Sequence, residues 1–390
     1  MNRAAGWRPV LAYAALSAAN QMLWLTYAPI TTGSAHHYGV SEGAIGWLAE
    51  LFPLLYVVLA LPAGRLVDRH LPLWLGAGAV LTAAGAVVRL TGDAYGTALA
   101  GQVLVAVAQP LVLNAVTRMS ARHLEPADRA GGIAVSSAGI FAGMVLALGT
   151  GSVFGAGHLR ALLLVQGVLS VLAAGWLVLE LRRPAAAVET PEAAVRLRVV
   201  WADRQVRVLV GLVCVGFGAF VAVTTWLQTL LRPAGVGETA AGVLLLVMVL
   251  AGVVASATLP PVVARRAGEA RYLFVSVVVG GAAFALLAIA PGLWTGLAAV
   301  LALGVFLLSD LPVILDLAER RAGSAGATVS ALIWLAGNAA GLVAALVVQV
   351  LDHRPHVAFA VLAALVVAGL PLVRGIPSAR RATTGGSVRV

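Results

Sequence analysis

Pro110-Leu111-Val112-Leu113-Asn114-Ala115-Val116-Thr117-Arg118 returns later in the chain as Pro312-Val313-Ile314-Leu315-Asp316-Leu317-Ala318-Glu319-Arg320, with proline, an Asn or Asp, and arginine at unchanged spacing. Shortly after each copy comes a run of small residues, AGIFAGMV at 138–145 and AGNAAGLV at 336–343. Small-residue repeats recur in any closely packed membrane helix. Two such coincidences, in matching order, point to a duplicated chain of two related halves.

What surrounds the repeats is apolar. Of 390 residues, 61% are hydrophobic and 11% charged, against roughly 25% charged in a soluble domain. Mean hydropathy is +0.97. A water-soluble globule needs more polar surface than this, so lipid is the solvent. A bilayer core about 30 Å thick asks for about 20 apolar residues per helix. Runs of that length fall at 9–31, 43–63, 72–92, 96–117, 131–154, 161–180, 205–230, 238–262, 271–290, 293–315, 325–350 and 356–375. The reading is an all-α integral membrane protein of twelve transmembrane helices.

Charge placement orients them. All 26 basic residues are arginine, and positive charge stays on the cytoplasmic side. With the N-terminus inside, only Arg89, Arg160, Arg232 and Arg354 fall towards the outside. Twelve spans with both termini cytoplasmic satisfy that count. The expected organisation is a six-helix bundle over 1–181, a cytoplasmic linker over 182–204, a second bundle over 205–376 and a tail over 377–390. The net charge of +10 would suggest nucleic acid in a soluble protein, but these arginines sit between apolar runs without interleaved aromatics. The lone Cys214 excludes a disulfide framework. His36 and His37 have no clustered partners for a metal, and no cofactor is expected.

Gly64-Arg65-Leu66-Val67-Asp68-Arg69, between the second and third spans, resembles the G-x-L-x-D-R loop of the major facilitator superfamily. Gly64 allows a tight helix exit, and Asp68 with Arg69 supplies charge for a gating loop. The later basic part of that motif is replaced by His70-Leu71-Pro72-Leu73. The resemblance implies two pseudo-symmetric six-helix bundles and alternating access, with no covalent chemistry on the solute. A closer likeness begins at Asn20-Gln21-Met22-Leu23-Trp24-Leu25-Thr26-Tyr27 and continues through Tyr38-Gly39-Val40, Ala44–Leu48, Gly101-Gln102, Ala108-Gln109, Gly218-Ala219-Phe220 and Leu311-Pro312. These stretches are similar to the feline leukaemia virus subgroup C receptor-related family, whose members carry choline, ethanolamine and, by older proposals, haem.

That likeness implies a box for a quaternary ammonium group. Its first-helix Trp falls on Trp24 and its fourth-helix Gln on Gln109. Its seventh-helix Tyr meets Val221 and its eleventh-helix Gln meets Asn338, so half the box differs, with Phe217, Phe220 or Trp226 as replacement rings. The expected wall is Asn20, Trp24, Tyr27, Gln109, Phe220, Trp226 and Asn338, with Asp310 and Glu50 as proton or cation sites, since intramembrane carboxylates are costly to bury and tolerated mainly for function. Simple packing of Trp24 and snorkelling of Glu50 are the competing readings. Arg89 is read as pairing locally with Asp93, and Asp316 with Arg320 and Arg321. Gly139, Gly143, Gly337 and Gly341 are assigned to packing between the halves.

The expected function is a secondary carrier for a cationic amine or quaternary ammonium solute such as choline, with the small solute, the bilayer and, at the carboxylates, protons as partners, and with no nucleic acid. Proton-driven efflux of lipophilic or drug-like compounds and a non-transporting membrane receptor stand as alternatives. No catalytic constellation and no G-x4-G-K-[S/T] loop is present, so an enzyme or an ATP-driven pump is not expected. A monomer in a prokaryotic plasma membrane completes the reading.

Overall fold

The computed structural model describes residues 3–125, 128–183, 201–266, 268–322 and 326–376. Most of the expected linker and all of the tail lie outside the described residues, as do the side chains of Asp316, Arg320 and Arg321. The described residues are helical with short connections and contain no strand.

In chain order the helices are α1 Arg3–Trp24, α2 Thr31–Tyr38, α3 Glu42–Arg69, α4 Leu71–Val88, α5 Tyr95–Leu113, α6 Val116–His123, α7 Arg129–Phe154 and α8 Leu159–Leu181. There follow α9 Arg204–Leu231, α10 Glu238–Arg265, α11 Glu269–Ile289, α12 Leu293–Leu303, a π-helical turn Gly304–Leu308, α13 Ser309–Ala322, α14 Gly326–Val350, α15 Pro355–Val367 and α16 Leu370–Val373. Among the described residues, eleven helices are long and apolar enough to cross a membrane. The twelfth, α1, has the length but is diluted by Ser17, Asn20 and Gln21, all buried. Its run ends earlier than the sequence suggests. Pro29 sits in a short 3-10 turn over Ala28–Ile30, so α1 stops at Trp24 and Tyr27 lies in the break.

Two compact units result. The first holds Met1–Glu192 with Gly237–Leu246, and the second Ala193–Val236 with Val247–Val390. In the first, α1 packs closely along α7. An added Cβ on Gly139 would lie 2.4 Å from the Ala14 carbonyl oxygen, and one on Gly143 2.1 Å from that of Ala18. In the second, α9 packs along α14. A Cβ on Gly337 would meet the Val213 Cγ1 at 3.0 Å, and one on Gly341 the Val221 Cγ2 at 2.9 Å. These four glycines therefore work within their own units, correcting their assignment to packing between the halves. Gly139 and Gly143 let α1 and α7 approach to backbone contact, and Gly337 and Gly341 let side chains of α9 pack onto the backbone of α14, where small residues gain dispersion that lipid cannot offer.

Among the described residues, apolar side chains of the first unit gather in clusters. Tyr13, Leu16, Val67, Leu75, Val112 and Leu177 belong to one. Tyr27, Ile30, Ile45, Leu48, Ala98 and Leu162 belong to another. The Tyr13 hydroxyl donates to the Val112 carbonyl at 2.7 Å, close to the end of α5, where backbone acceptors run short of partners.

Candidate functional site

Within the first unit, Trp24 closes α1 and is 4% exposed. Its indole N–H donates to the Ala49 carbonyl on α3 at 3.1 Å, and its ring centroid stands 6.2 Å from that of Phe52, tilted by 32°. The hydrogen bond orients the indole, and Phe52 adds a second ring. Glu50, next in the chain after Ala49, is fully buried, so it does not reach for an interface as snorkelling would require. Gln109, on α5 directly before Pro110, is 3% exposed, and its amide oxygen accepts no hydrogen bond. It is thus a free acceptor in a buried place.

Asn20 and Tyr27 look elsewhere. The Asn20 amide donates to the Val105 carbonyl at 3.1 Å and to the Thr82 hydroxyl at 3.4 Å, which ties α1 to α4 and α5. Tyr27 sits in the outer apolar cluster, its hydroxyl 3.4 Å from that of Tyr38. Burial among those aromatics raises the Tyr38 phenol above its ordinary pKa.

The expected gating loop is largely helical: α3 runs on to Arg69, so Gly64 lies inside it and is not the tight exit expected of it. Asp68 accepts from the Arg118 guanidinium at 2.7 Å, joining the end of α3 to α6. Arg118 is the last residue of the repeated proline motif, and its central Asn114 works alongside it. The Asn114 amide donates to the Ala60 carbonyl at 2.9 Å and its oxygen accepts from the Tyr56 hydroxyl at 3.3 Å. Gly64 faces that same amide, 3.5 Å from where its Cβ would stand. Two motifs that look separate in the sequence are therefore one assembly between α3 and the α5–α6 junction. Arg69 closes α3.

In the second unit, Phe217 stands 5.9 Å from Phe220 and 5.8 Å, edge-on, from Trp334. Asn338, one turn beyond Trp334 on α14, donates to the Trp334 carbonyl at 2.9 Å. Phe220 is thus brought to an aromatic corner between α9 and α14, with Asn338 one turn along α14 from its Trp334. Trp334, its third ring, was not singled out from the sequence, where a lone Trp beside Leu and Ile carries no pattern. Trp226 is fully buried with its indole N–H unsatisfied and has no ring contact with that corner.

Asp310 lies elsewhere in the same unit. It is 8% exposed, one carboxylate oxygen has no hydrogen-bond partner, and the Ser276 hydroxyl of α11 stands beside it. Tyr272 of α11 hydrogen-bonds Ser309, the residue before Asp310, and its ring lies 6.2 Å from Phe306. The π-helical turn Gly304–Leu308 immediately precedes this pair. Its first residue packs tightly, since a Cβ on Gly304 would lie 2.1 Å from the Met248 carbonyl of α10. Such turns re-aim the residues that follow.

Arg89 departs from its expected local pair. Asp93 is exposed, whereas Arg89 is 1% exposed and points inward. Its guanidinium donates to the Thr26 hydroxyl and to the Gln102 amide oxygen, each at 3.1 Å. Gln102 in turn donates to the carbonyls of Leu23 and Leu48, and Thr26 donates to Gln166 at 2.7 Å. The polar positions inside otherwise apolar runs, Gln102 and Thr26 lying in the family-like stretches, are the sequence's signal for this network.

The Major Facilitator Superfamily profile matches residues 10–345. Solute carrier family 49 member A3 of Danio rerio is 27% identical over 366 residues, covering 87% of this chain and 77% of that protein. The choline/ethanolamine transporter FLVCR2 of Homo sapiens is 31% identical over 118 residues, which is 29% of this chain and 22% of that protein. Among solved structures, a bacterial homologue of the human lysosomal transporter Spinster, inward-facing and unoccupied, superposes with a TM-score of 0.70 at 16% identity, covering 96% of each chain.

Proposed function

The chain belongs to the major facilitator superfamily and is a multi-pass membrane transporter, and from that premise we propose that its solute is a small cationic amine or quaternary ammonium compound of the choline class. One observation carries the reading. A preset aromatic pair forms between Trp24 at the end of α1 and Phe52 on α3, and α3 also carries the buried Glu50 within the same turn as Phe52, though not on its face. An indole face held by its own N–H bond meets a cation without reordering, and such contacts are worth about 0.5 to 2 kcal/mol. A buried acid supplies the counter-charge that an ammonium group needs once it leaves water. Gln109, with its unused acceptor, offers a hydrogen bond to a hydroxyl or amine end. The FLVCR2 likeness supports the same solute class, since that relative is described as a choline/ethanolamine transporter.

The test is a thermal-shift titration of purified protein with choline and ethanolamine, repeated on Trp24→Ala, with uptake into proteoliposomes. The expected result is stabilisation by choline whose midpoint rises by about 2- to 30-fold in the variant, the range set by a cation–π contact. Choline binding left unchanged by Trp24→Ala would overturn the role of the ring. The carrier is proposed to act as a monomer in the plasma membrane, with both termini cytoplasmic.

A second reading, proton-driven export of lipophilic compounds, is favoured by Asp310. A buried carboxylate with one open oxygen, re-aimed by a π-helical turn beside Ser276, is a place to take up and release a proton. Transport should then follow an imposed pH gradient in the native protein and lose that dependence in Asp310→Asn. Flux indifferent to the gradient in both would remove the proton from the mechanism.

A further inference from the structure

We infer that the first unit holds a small monovalent anion, a halide or the carboxylate of a formate-sized ion, side-on against Arg89 in the bundle interior. The side chain is 1% exposed, and among the described residues no Asp or Glu forms an ion pair with it. A guanidinium taken out of water without a counter-charge is heavily penalised, and in membrane helices such groups are neutralised by a partner. The two acceptors it does meet, Thr26 and Gln102, are both neutral and both bind Nη1.

The remaining donors specify the shape of what is missing. Nε and Nη2 are buried and without hydrogen-bond partners. These are the two nitrogens whose N–H bonds run parallel along one edge of the guanidinium, the fork that takes a carboxylate in two parallel bonds or a single halide between them. The Tyr27 phenol stands beside the guanidinium, where its oxygen faces the Arg89 donors.

The surroundings hold this fork in place. Arg89 follows the last residue of α4, and its stem passes over Gly101 of α5, where a Cβ would lie 2.4 Å from the Arg89 Cγ. Gln102, which fixes Nη1, is itself fixed by two backbone carbonyls, and Thr26 is fixed through Gln166, which donates onward to Thr150 at 3.2 Å. Gln102 and Thr26 are thus both committed to Nη1, which leaves Nε and Nη2 to a bound ion or to the Tyr27 phenol.

The experiment compares thermal unfolding of the purified full chain in sodium gluconate with chloride, bromide or formate at one fixed ionic strength. The inference requires a saturable rise of at least about 2 °C with at least one small anion, with chloride and formate arms separating a halide from a carboxylate site. It also requires that Arg89→Gln abolish the rise and that Arg89→Lys, which keeps the charge but not the fork, weaken it at least about tenfold. Equilibrium dialysis of the native protein with labelled chloride and formate gives a readout that does not depend on either variant folding, with about one ion bound per chain expected. Unfolding that ignores anion identity together with no bound ion, or an unchanged anion response in Arg89→Gln, would overturn the site and leave water as the filler of the fork.

Discussion

Replacing Gly143 by alanine tests the contact on which the first unit is built. The added methyl would lie 2.1 Å from the Ala18 carbonyl oxygen and 2.8 Å from both the carbonyl carbon and the Cα of Ala18. All three are backbone atoms, so no change of rotamer relieves the clash. Restoring ordinary contact near 3.4 Å requires α1 and α7 to part by about 1.3 Å at this crossing, and a gap of even 0.5 to 1 Å forfeits a quarter to half of each contact's dispersion. Overpacking of this kind costs about 1–3 kcal/mol. The same substitution at Gly149, on the same helix with nothing within 4 Å, meets no neighbour and should gain up to about 1 kcal/mol from helix propensity. Gly341 falls between them, because its neighbour is the Val221 side chain at 2.9 Å, which is stiff but still movable. Thermal unfolding in one detergent should rank the variants Gly149→Ala, Gly341→Ala, Gly143→Ala from most to least stable. If Gly143→Ala unfolds with Gly149→Ala, the close crossing is not what holds α1 against α7.

Two other outcomes follow from groups nearer the membrane surface. The Asp68–Arg118 pair is short at 2.7 Å but partly exposed on both sides, so a double-mutant cycle with Asp68→Asn and Arg118→Gln should give a coupling below about 1 kcal/mol in stability, while transport rate falls by more than that energy explains. A coupling well above that value would make the pair a structural clamp and not a gate. His123 ends α6, and burial, with Arg122 adding to it, lowers its pKa to about 4 from 6.5. The folded chain therefore refuses a proton that the unfolded chain accepts, so stability should fall as pH drops from about 6.5 towards 4 and be flat above that window. His123→Gln should flatten the acid limb of a Tm-against-pH curve, and an identical limb in the variant would place the acid sensitivity elsewhere.

The fold was legible because its signals are long. Apolar runs, arginine placement and a duplicated proline motif each report on many residues at once, and the family match over residues 10–345 agrees with them. The motifs were legible singly but not as a unit. Nothing in spacing reveals that Asp68 reaches Arg118, since that pairing depends on how α3 crosses the α5–α6 junction. The same limit hid Trp334, whose relevance comes only from Phe217 lying 5.8 Å away on another helix.

Arg89 shows why local reading fails most sharply inside a membrane bundle. An arginine four residues before an aspartate, near a helix end, is in water best satisfied by that neighbour. Here three conditions send it the other way. Gly101 leaves a groove for its stem, Gln102 offers an acceptor already anchored by two carbonyls, and Thr26 offers another anchored through Gln166. Gly101 and Gln102 belong to α5 and Thr26 to the break after α1, with its anchor Gln166 on α8, so no window along the chain contains them together. The same reasoning separates the candidate site residues. Asn20 spends its amide donors on Val105 and Thr82 and so braces the bundle with only its oxygen uncommitted, whereas no hydrogen bond of the Gln109 side chain is found among the described residues. For a polar side chain in lipid, the question that decides its role is whether its hydrogen bonds are already taken by the protein, and that is settled by helix crossings the sequence does not spell out.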